Sequence, residues 1–457
     1  MPRHVFVRRS RIAAPAEAVY RWHARPGALE RLSPPWDPPV VEARTGTIED
    51  EGARVVLRVG PLRQRWVAEH HDAEPGRAFH DRLVEGPLPF WEHAHRMTPD
   101  GENACVLEDR IEYALPLGRA GDLAGGRAIR SRLERMFAYR HAVTAGDLAD
   151  HAACPGDKTM KVAITGASGL VGRALVPYLT TGGHGVVRLV RRPSAAPDEA
   201  AWDPATGRID PAALEGVDAV VHLAGEGIAD RRWTAARKEA LRASRVGPTR
   251  KLAETLAGLK RRPRVFVSAS AIGYYGDTGD RWVDETSPAG DDFLGRLAAE
   301  WEEATAPAAR AGIRVVSLRT GIVLSAKGGA LGKMLPPFRA GLGGPLGPGT
   351  QYMSWIAMDD LIGAVHHALA NDGVSGPLNA TAPEPVTNAV FSRTLGRVLS
   401  RPAIAPAPAF ALRLLFGEMA DAALLSGARV RPAKLLAAGY RFRFDNLERA
   451  LRHELGR

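Results

Sequence analysis

The sequence predicts two successive domains: an α+β domain in which a curved antiparallel sheet wraps around a helix, and an α/β domain with a doubly wound parallel sheet. The first observation is a step in composition. Residues 1–157 contain 22 arginines, no lysine and 23 acidic residues, a net charge of −1, and because the whole 457-residue chain has +10, the remainder has +11. The second observation is a series of short alternating runs in the first third, and the third is a glycine-rich turn between a strand and a helix after Met160. A chain of this length has room for two or three domains.

The overall composition is that of an ordinary globular protein, with 45% hydrophobic and 25% charged residues. Two cysteines, Cys105 and Cys154, are too few for a disulfide scaffold or a four-thiolate zinc site. No apolar run approaches the ~18 residues of a membrane span, and the start has no apolar signal segment. The basic residues of the second part are scattered singly or in pairs, which argues against nucleic acid as a partner. We therefore expect a cytoplasmic protein without a membrane span.

The first domain, residues 1–150, is predicted to contain a strand, a helix, a run of antiparallel strands and a long closing helix. His4–Ile12 alternates apolar and polar residues, as a half-buried strand does. A helix begins near Pro15, since proline is favoured in the first helical turn. Short strands separated by turn residues follow as far as Leu115, and an apolar stripe predicts the last helix over about residues 128–149.

Two stretches of this domain have the pattern of a known superfamily: IAAPAEAV at residues 12–19 and LERMFAYRH at residues 133–141. With these stretches the domain resembles the START-like, polyketide-cyclase-like superfamily of helix-grip ligand-binding domains. The resemblance implies a cavity between sheet and helix that binds an apolar small molecule. The aromatic residues that we expect to line it are Trp66, Phe79, Phe90 and Trp91.

Two histidines of this domain, His93 and His95, alternate along one predicted strand, so that both could face one side of the sheet. No metal-ligand set is complete around them in the sequence. We therefore expect solvated or cavity-lining histidines here, and no metal site.

The second domain begins with the pattern of a nucleotide-binding βαβ unit. A buried strand, Met160–Thr165, leads into the turn GASGLVG at residues 166–172, and a helix and a second strand at Gly185–Val190 follow. Gly166 allows the sharp turn, Gly169 lets the backbone approach a pyrophosphate, and the glycine at position 172 lets the helix pack on the strand. The free N–H groups of the helix N-terminus then face the phosphates.

The end of the second strand predicts which dinucleotide binds. A site for NAD usually has an acidic residue there, which binds the ribose 2′-hydroxyl. This chain has Arg191 and Arg192 instead. Because guanidinium groups bind phosphate oxygens with a planar fork of donors, the pair favours the 2′-phosphate of NADP.

Further motifs of the second part match a known superfamily. They are LAG at residues 223–225, SAS at 268–270, YYG at 274–276, and the more specific WDP at 202–204, HLAGE at 222–226, RWT at 232–234, LRTG at 318–321, GGPLG at 343–347, SWI at 354–356 and RPAKL at 431–435. The chain from about residue 160 onward thereby resembles an atypical, epimerase-like family of the extended short-chain dehydrogenase/reductase superfamily, which has a small C-terminal domain of unknown function. The resemblance implies a Rossmann domain at residues 160–400 and the small domain at 401–457, after a polar linker at 151–159.

The same resemblance, together with the glycine pattern, defines the expected cofactor contacts. They are Gly166, Ser168, Gly169, Leu170, Val171, Arg191, Arg192, Leu223, Ala224, Gly225 and Glu226.

The catalytic residues are less complete. A reductase of this class needs a tyrosine as acid/base, a lysine that lowers its pKa, and a serine or threonine. Ser270 follows a strand and matches the serine. Asp292 and Arg296 stand where the tyrosine and lysine of the usual Tyr-x-x-x-Lys pattern are expected. Either Tyr274 or Tyr275 transfers the proton instead, or the protein is not a standard carbonyl reductase.

Two functions remain open. The leading hypothesis is an NADP(H)-dependent, epimerase-like oxidoreductase acting on a small carbonyl or cyclic substrate, with residues 327–349, rich in glycine and proline, as a substrate loop or lid. The alternative is a non-catalytic NADPH-binding sensor or partner protein whose first domain binds a ligand. In the family that the chain resembles, some plant and cyanobacterial members are associated with division of the plastid or cell. The sequence indicates neither the substrate nor the oligomeric state.

Overall fold

The first unit is a seven-stranded antiparallel sheet with three helices. The computed structural model describes residues 2–154 and 159–457, and the contacts within the chain divide them into two units, the first formed mainly by residues up to Ala153. The sheet order is β1-β7-β6-β5-β4-β3-β2. The elements are β1 (His4–Ile12), α1 (Ala16–Ala24), α2 (Ala28–Arg31), β2 (Val40–Arg44), β3 (Arg54–Val59), β4 (Gln64–Glu74), β5 (Ala78–Glu85), β6 (Phe90–Pro99), β7 (Cys105–Ala114) and α3 (Arg119–Ala153).

The local sequence explains most of these bounds. Strand β1 has the predicted bounds, and its inward side chains Phe6 and Ile12 are buried. Pro15 precedes α1 with φ −56° and ψ 147°, an extended conformation from which the helix starts. Helix α3 is longer than predicted at both ends. Residues 119–127 are mostly exposed, so no apolar period marks them.

The predicted linker at residues 151–159 is shorter than expected, because helix α3 extends into it. Its residues 151–153 complete α3, and residues 155–158 lie outside the described part of the chain.

The second unit is built on a seven-stranded parallel sheet with the order β10-β9-β8-β11-β12-β14-β18. This is the order of a Rossmann fold, with one further strand at the edge. Its strands are β8 (Lys161–Thr165), β9 (Gly185–Val190), β10 (Glu199–Ala201), β11 (Ala219–His222), β12 (Val265–Ala271), β13 (Trp282–Val283), β14 (Arg314–Thr320), β15 (Ile322–Leu324), β16 (Tyr352–Met353), β17 (Trp355–Ala357), β18 (Gly376–Ala380), β19 (Val386–Thr387) and β20 (Arg429–Val430). The helices are α4 (Gly172–Thr181), α5 (Ala235–Ala243), α6 (Val246–Gly258), α7 (Phe293–Glu303), α8 (Ala306–Arg310), α9 (Gly329–Arg339), α10 (Met358–Ala370), α11 (Asn388–Leu399), α12 (Ala409–Phe416), α13 (Ala433–Ala437) and α14 (Leu447–Leu455).

The core of this unit lies on both faces of the parallel sheet. The central strands β8, β11 and β12 are almost fully buried, as expected when helices cover both sides. One cluster packs β8 and β11 against α4 and α10, and another packs the opposite face against α6. The predicted fold class, a doubly wound parallel sheet after an α+β domain, is confirmed.

Two segments differ from the prediction or extend it. The glycine- and proline-rich segment 327–349, predicted as a loop, contains helix α9, whose Leu331, Leu335 and Phe338 are buried. Because Pro336 and Pro337 lie in its last turns, the composition concealed the helix. In the C-terminal stretch, β20 pairs with β13. No helix in the described residues has the length and apolarity needed to cross a membrane.

Candidate functional site

The glycine turn between β8 and α4 is shaped by close backbone contacts. Gly166 has φ +69°, and a Cβ at this position would lie 2.8 Å from the carbonyl carbon of Leu223. A Cβ on Gly172 would overlap the Gly166 carbonyl oxygen. Any side chain at either position therefore displaces backbone, which explains why glycine is required. Ser168 and Gly169 are exposed at the tip of the turn, where a phosphate group would approach.

The loop after β11 is held against this turn by a buried hydroxyl. Thr165 Oγ1 accepts hydrogen bonds from the backbone N–H groups of Leu223 (3.1 Å) and Ala224 (3.3 Å). The same oxygen lies 2.7 Å from Nδ1 of His222, whose Nε2 lies 3.0 Å from Thr249 Oγ1. Burial lowers the pKa of His222 to about 4. A neutral imidazole thus joins the two strands that present the loops.

The predicted contact Glu226 lies on the exposed part of that loop. Its carboxylate forms an ion pair with Arg237 of α5, and its backbone carbonyl accepts a hydrogen bond from Arg245 at 2.6 Å. Arg245 is 5% exposed and lies under Gly225. It was not singled out from the sequence as a loop anchor, because nothing local indicates that its side chain turns back to position 226.

The two arginines after β9 have different surroundings. Arg192 donates a 2.7 Å hydrogen bond to the buried Glu199 carboxylate on β10, to which Arg188 is also paired. Arg191 is exposed and forms no hydrogen bond or ion pair with any described residue. Of the two guanidinium groups, that of Arg191 is therefore available to an anionic ligand, whereas that of Arg192 is partly neutralised.

Helix α9 begins beside the glycine turn. A Cβ placed on Gly329 would lie 3.2 Å from Leu170 Cδ2. Further along α9, Lys333 Nζ donates to the carbonyl of Ala229 at 2.8 Å and lies 3.2 Å from Asp230 Oδ1. Leu170, together with Val171, packs against the core from the turn. The segment predicted as a substrate loop thus borders both cofactor loops.

The predicted serine is part of a buried ionic network. Ser270 Oγ donates to Glu302 Oε1 at 2.7 Å. Arg319 donates to both oxygens of the same carboxylate, with Nε–Oε1 and Nη2–Oε2 distances of 2.8 Å. The side chain of Arg319 is 3% exposed and that of Glu302 is 15% exposed. Neither was predicted as a site residue, although Arg319 belongs to the LRTG motif, because the two partners come from different elements.

The two predicted tyrosines have different roles in this network. The Tyr275 hydroxyl accepts from Arg319 at 3.0 Å and donates to Asn379 Oδ1 at 2.7 Å. Burial is the main cause that raises the pKa of Tyr275 to about 12. Tyr274 is half-buried, and the Arg319 guanidinium lies 3.4 Å from its ring centroid. The Tyr274 hydroxyl has no hydrogen-bond partner among the described residues.

The positions of the usual tyrosine and lysine have structural roles. Asp292 is the N-cap of α7 and accepts a 2.7 Å hydrogen bond from the Gly295 N–H. Arg296 is exposed and donates to the carbonyl of Asp291. A capping carboxylate and an exposed guanidinium do not reproduce the phenol–ammonium pair of a short-chain reductase.

The first unit contains a separate cavity of about 930 Å³. Trp66, Phe79 and Trp91 line it as predicted, between the sheet and helix α3. Phe90 does not line it, and its ring instead lies 3.9 Å from the Arg3 guanidinium. Three of the four predicted aromatic residues thus border a space rather than filling it.

A Rossmann sheet with a glycine turn, a second loop fixed against it and a strand end with arginines defines the class of Rossmann-fold, dinucleotide-binding domains. Comparison with known families agrees. Residues 162–380 match the NAD dependent epimerase/dehydratase family, residues 407–454 match a domain of unknown function, DUF1731, and residues 3–140 match the family described as polyketide cyclase / dehydrase and lipid transport.

Individual relatives show the family. An epimerase family protein of Mycobacterium tuberculosis is 48% identical over 290 residues, which are 64% of this chain and 96% of the relative. The chain therefore belongs to the epimerase family. The crystal structure of a nucleoside-diphosphate sugar epimerase from Corynebacterium glutamicum covers 99% of this chain and is itself covered to 90%, with 35% identity and a TM-score of 0.80. The structure of the human epimerase family protein SDR39U1 with NADPH has 37% identity and a TM-score of 0.60, over 65% of this chain and 99% of that one.

Proposed function

We propose that the second unit binds NADP(H) and serves an epimerase-like oxidoreductase that acts on a small carbonyl or cyclic substrate. The observation that supports this most strongly is the exposed Arg191 directly after β9, the strand that pairs with β8 ahead of the glycine turn. Arg191 forms no ion pair within the described part of the chain. The human relative SDR39U1, crystallised with NADPH, supports the same cofactor. NADPH, when bound, supplies a hydride.

The proposed cofactor contacts follow from the geometry of the loops. Gly166, Gly169 and the N-terminus of α4 would face the pyrophosphate. The loop of Leu223, Ala224, Gly225 and Glu226 would border the nicotinamide half, because it follows the neighbouring strand β11. Ser168, Leu170 and Val171 complete the turn.

For catalysis, the network favours Tyr274 over Tyr275 as proton donor. Tyr275 already donates to Asn379 and has a raised pKa, whereas the Tyr274 ring lies over a guanidinium. We propose that the Arg319 guanidinium stabilises the negative charge that develops on Tyr274 as its hydroxyl gives up the proton. Ser270 would act only indirectly, through its hydrogen bond to Glu302.

A direct experiment is titration of the purified chain with NADPH, in which binding is measured by calorimetry or by nucleotide fluorescence. Gly172→Ala should abolish binding, since its methyl group would collide with the turn. Gly247→Ala is the matched control, because a Cβ there meets nothing within 4 Å. Wild-type protein that binds no dinucleotide would refute the proposal.

A second function is favoured by one specific observation: Ser270, Tyr275 and Asp292 are all committed to internal hydrogen bonds. On this view the chain is a non-catalytic NADPH-binding sensor or partner protein. Tight NADPH binding without turnover on a broad carbonyl panel would support it. Turnover that is lost in Tyr274→Phe would support the enzyme.

We further propose that the first unit, predicted as the domain of residues 1–150, binds an apolar small molecule in its cavity. Its size of about 930 Å³ and its aromatic lining support this. The division of the remaining chain into residues 160–400 and 401–457 stays a prediction.

A further inference from the structure

The cavity wall of the first unit contains two buried histidines side by side. His93 and His95 alternate on β6 and both face the cavity. They are 3% and 7% exposed, and their ring centroids lie 3.9 Å apart. Imidazole nitrogens are among the usual protein ligands of transition-metal ions.

The neighbouring strand β5 adds a carboxylate to the pair. Asp81 is the register partner of His93 and also lines the cavity. Its Oδ2 lies 3.0 Å from His93 Nδ1 and 3.7 Å from His95 Nε2, and one ligand atom from each of the three residues lies within 4.8 Å of the others. Ligand atoms about 2.1 Å from one ion are roughly 3.0–3.4 Å apart, so an ion would fit after a small adjustment.

A second buried carboxylate lies behind the histidines. Asp109 Oδ1 is 2.9 Å from His93 Nε2 and 2.6 Å from His95 Nδ1, while its Oδ2 is 2.5 Å from His141 Nε2. The outer nitrogen of each imidazole thus lies close to the Asp109 carboxylate, with hydrogen-bond geometry at His93 and close approach alone at His95. The inner nitrogens, His93 Nδ1 and His95 Nε2, are left for a ligand on the Asp81 side. Metal-bound histidines usually have this outer carboxylate, which orients the ring and fixes the tautomer.

We propose that Asp81, His93 and His95 bind one divalent first-row transition-metal ion at the cavity wall, with Asp109 as the positioning residue. Two histidines and one carboxylate leave coordination positions open. These positions face the cavity, where water or an oxygen atom of a bound apolar ligand would occupy them. The ion requires neither the dinucleotide nor the apolar ligand in order to bind.

The competing occupant of the same geometry is a proton on His93. Burial alone would lower the pKa of His93, but the Asp81 and Asp109 carboxylates outweigh burial and raise this pKa to about 9. A doubly hydrogen-bonded imidazolium needs no ion. The two occupants are distinguished by whether the protein binds metal with these residues as ligands.

The same sheet provides a matched control on residues that do not line the cavity. His71 Nε2 lies 2.7 Å from Glu92 Oε1, and the rings of His71 and His80 are 5.5 Å apart. These three residues are only half-buried. The Nδ1 atom of His71 pairs with the exposed Asp72, so no buried carboxylate orients this cluster.

The experiment uses the full chain without a histidine tag, stripped with a chelator and titrated with Co²⁺ and Zn²⁺. Metal content and calorimetry should show that His95→Gln and Asp81→Asn each bind one equivalent fewer than wild type, whereas His80→Gln loses none. Asp109→Asn should still bind the same number of ions, but with an affinity at this site that is about 10–100-fold lower. Far-UV circular dichroism and thermal unfolding of each variant serve as the check that the first unit, which contains all four substituted positions, is folded.

A measurement on wild type keeps the test independent of variant folding. The Co²⁺-loaded protein should show two exchangeable, paramagnetically shifted imidazole N–H signals, one from each ligand histidine with its N–H toward Asp109. Absence of these signals, no binding of either ion, or full retention of the equivalent in His95→Gln would overturn the proposal and leave a protonated His93 as the occupant.

Discussion

Arg319 and Glu302 form a two-point ion pair, with both N–O distances at 2.8 Å, beneath the ring of Tyr274. The pair connects strand β14 to helix α7 and fixes the hydroxyl of Ser270. Ser270 and Tyr274, which were predicted as catalytic, are therefore positioned by Glu302 and Arg319, which were not predicted as site residues.

Removal of Glu302 should destabilise the second unit strongly, because it leaves the Arg319 charge buried without its partner. We expect Glu302→Ala to lower the free energy of unfolding by about 3–5 kcal/mol. Glu300→Ala on the same helix is the control: Glu300 pairs with Arg242 in an exposed salt bridge, whose loss should cost no more than about 1 kcal/mol. Urea unfolding measures both, and equal effects would show that the buried pair adds nothing.

The adjacent tyrosines should separate stability from catalysis. Tyr275→Phe leaves the buried Asn379 side chain without its hydrogen-bond donor, at an expected cost of about 1–3 kcal/mol. Tyr274→Phe removes an unpaired hydroxyl and should leave the melting temperature unchanged while reducing any carbonyl turnover. Thermal unfolding and turnover of both variants test this, and a Tyr274→Phe variant with full turnover would exclude this residue as the proton donor.

The buried His222 should make stability depend on pH. Its folded pKa of about 4 lies below its unfolded value of 6.5, so the unfolded chain binds more protons between these values. The stability from neutral His222 is therefore complete above pH 6.5 and is lost as the pH falls to 4, up to about 3 kcal/mol.

Comparison with His222→Gln isolates this contribution, since glutamine keeps a donor and an acceptor toward Thr165 and Thr249 but does not titrate. The difference in unfolding free energy between wild type and variant should shrink as the pH falls from 6.5 to 4. A constant difference over this range would contradict the assignment.

The first unit should fold alone and respond to apolar ligands. About 150 residues bury close to 70% of the unfolded surface, enough for independent stability. A fragment ending at Ala153, heated with lipids, isoprenoids and aromatic polyketides, should gain about 2.7 kcal/mol from a ligand at 100 times its dissociation constant. This corresponds to several degrees in Tm. An insoluble fragment would contradict autonomy, and a folded fragment that responds to no ligand would contradict the binding role.

The fold was predictable because its signals are local. The alternation of His4–Ile12 and the run from Met160 through the glycine turn each lie within one short segment, where period and turn chemistry determine structure. Helix α9 and the first turns of α3 were missed, because prolines and exposed residues conceal helices that tertiary packing stabilises.

The candidate sites were only partly predictable. The role of Arg191 could be predicted directly, because this residue stands immediately after a strand that the sequence itself indicates. The pairing of Glu302 with Arg319, and the approach of Asp81 to His93, join residues on different elements. No period or spacing in the chain indicates such contacts, since they depend on strand order and register.

Cofactor choice is tested most directly by NADPH and NADH titrations of wild type, Arg191→Ala, Arg192→Ala and the double variant. A charge-assisted hydrogen bond to phosphate contributes about 1.5–3 kcal/mol. This energy corresponds to a dissociation constant for NADPH that is roughly tenfold to a hundredfold higher in the double variant. NADH binding should be unchanged, because NADH has no 2′-phosphate. Arg191→Ala alone should account for most of the loss, because Arg192 is already paired with Glu199. An equal loss for NADPH and NADH would contradict recognition of the 2′-phosphate by these arginines.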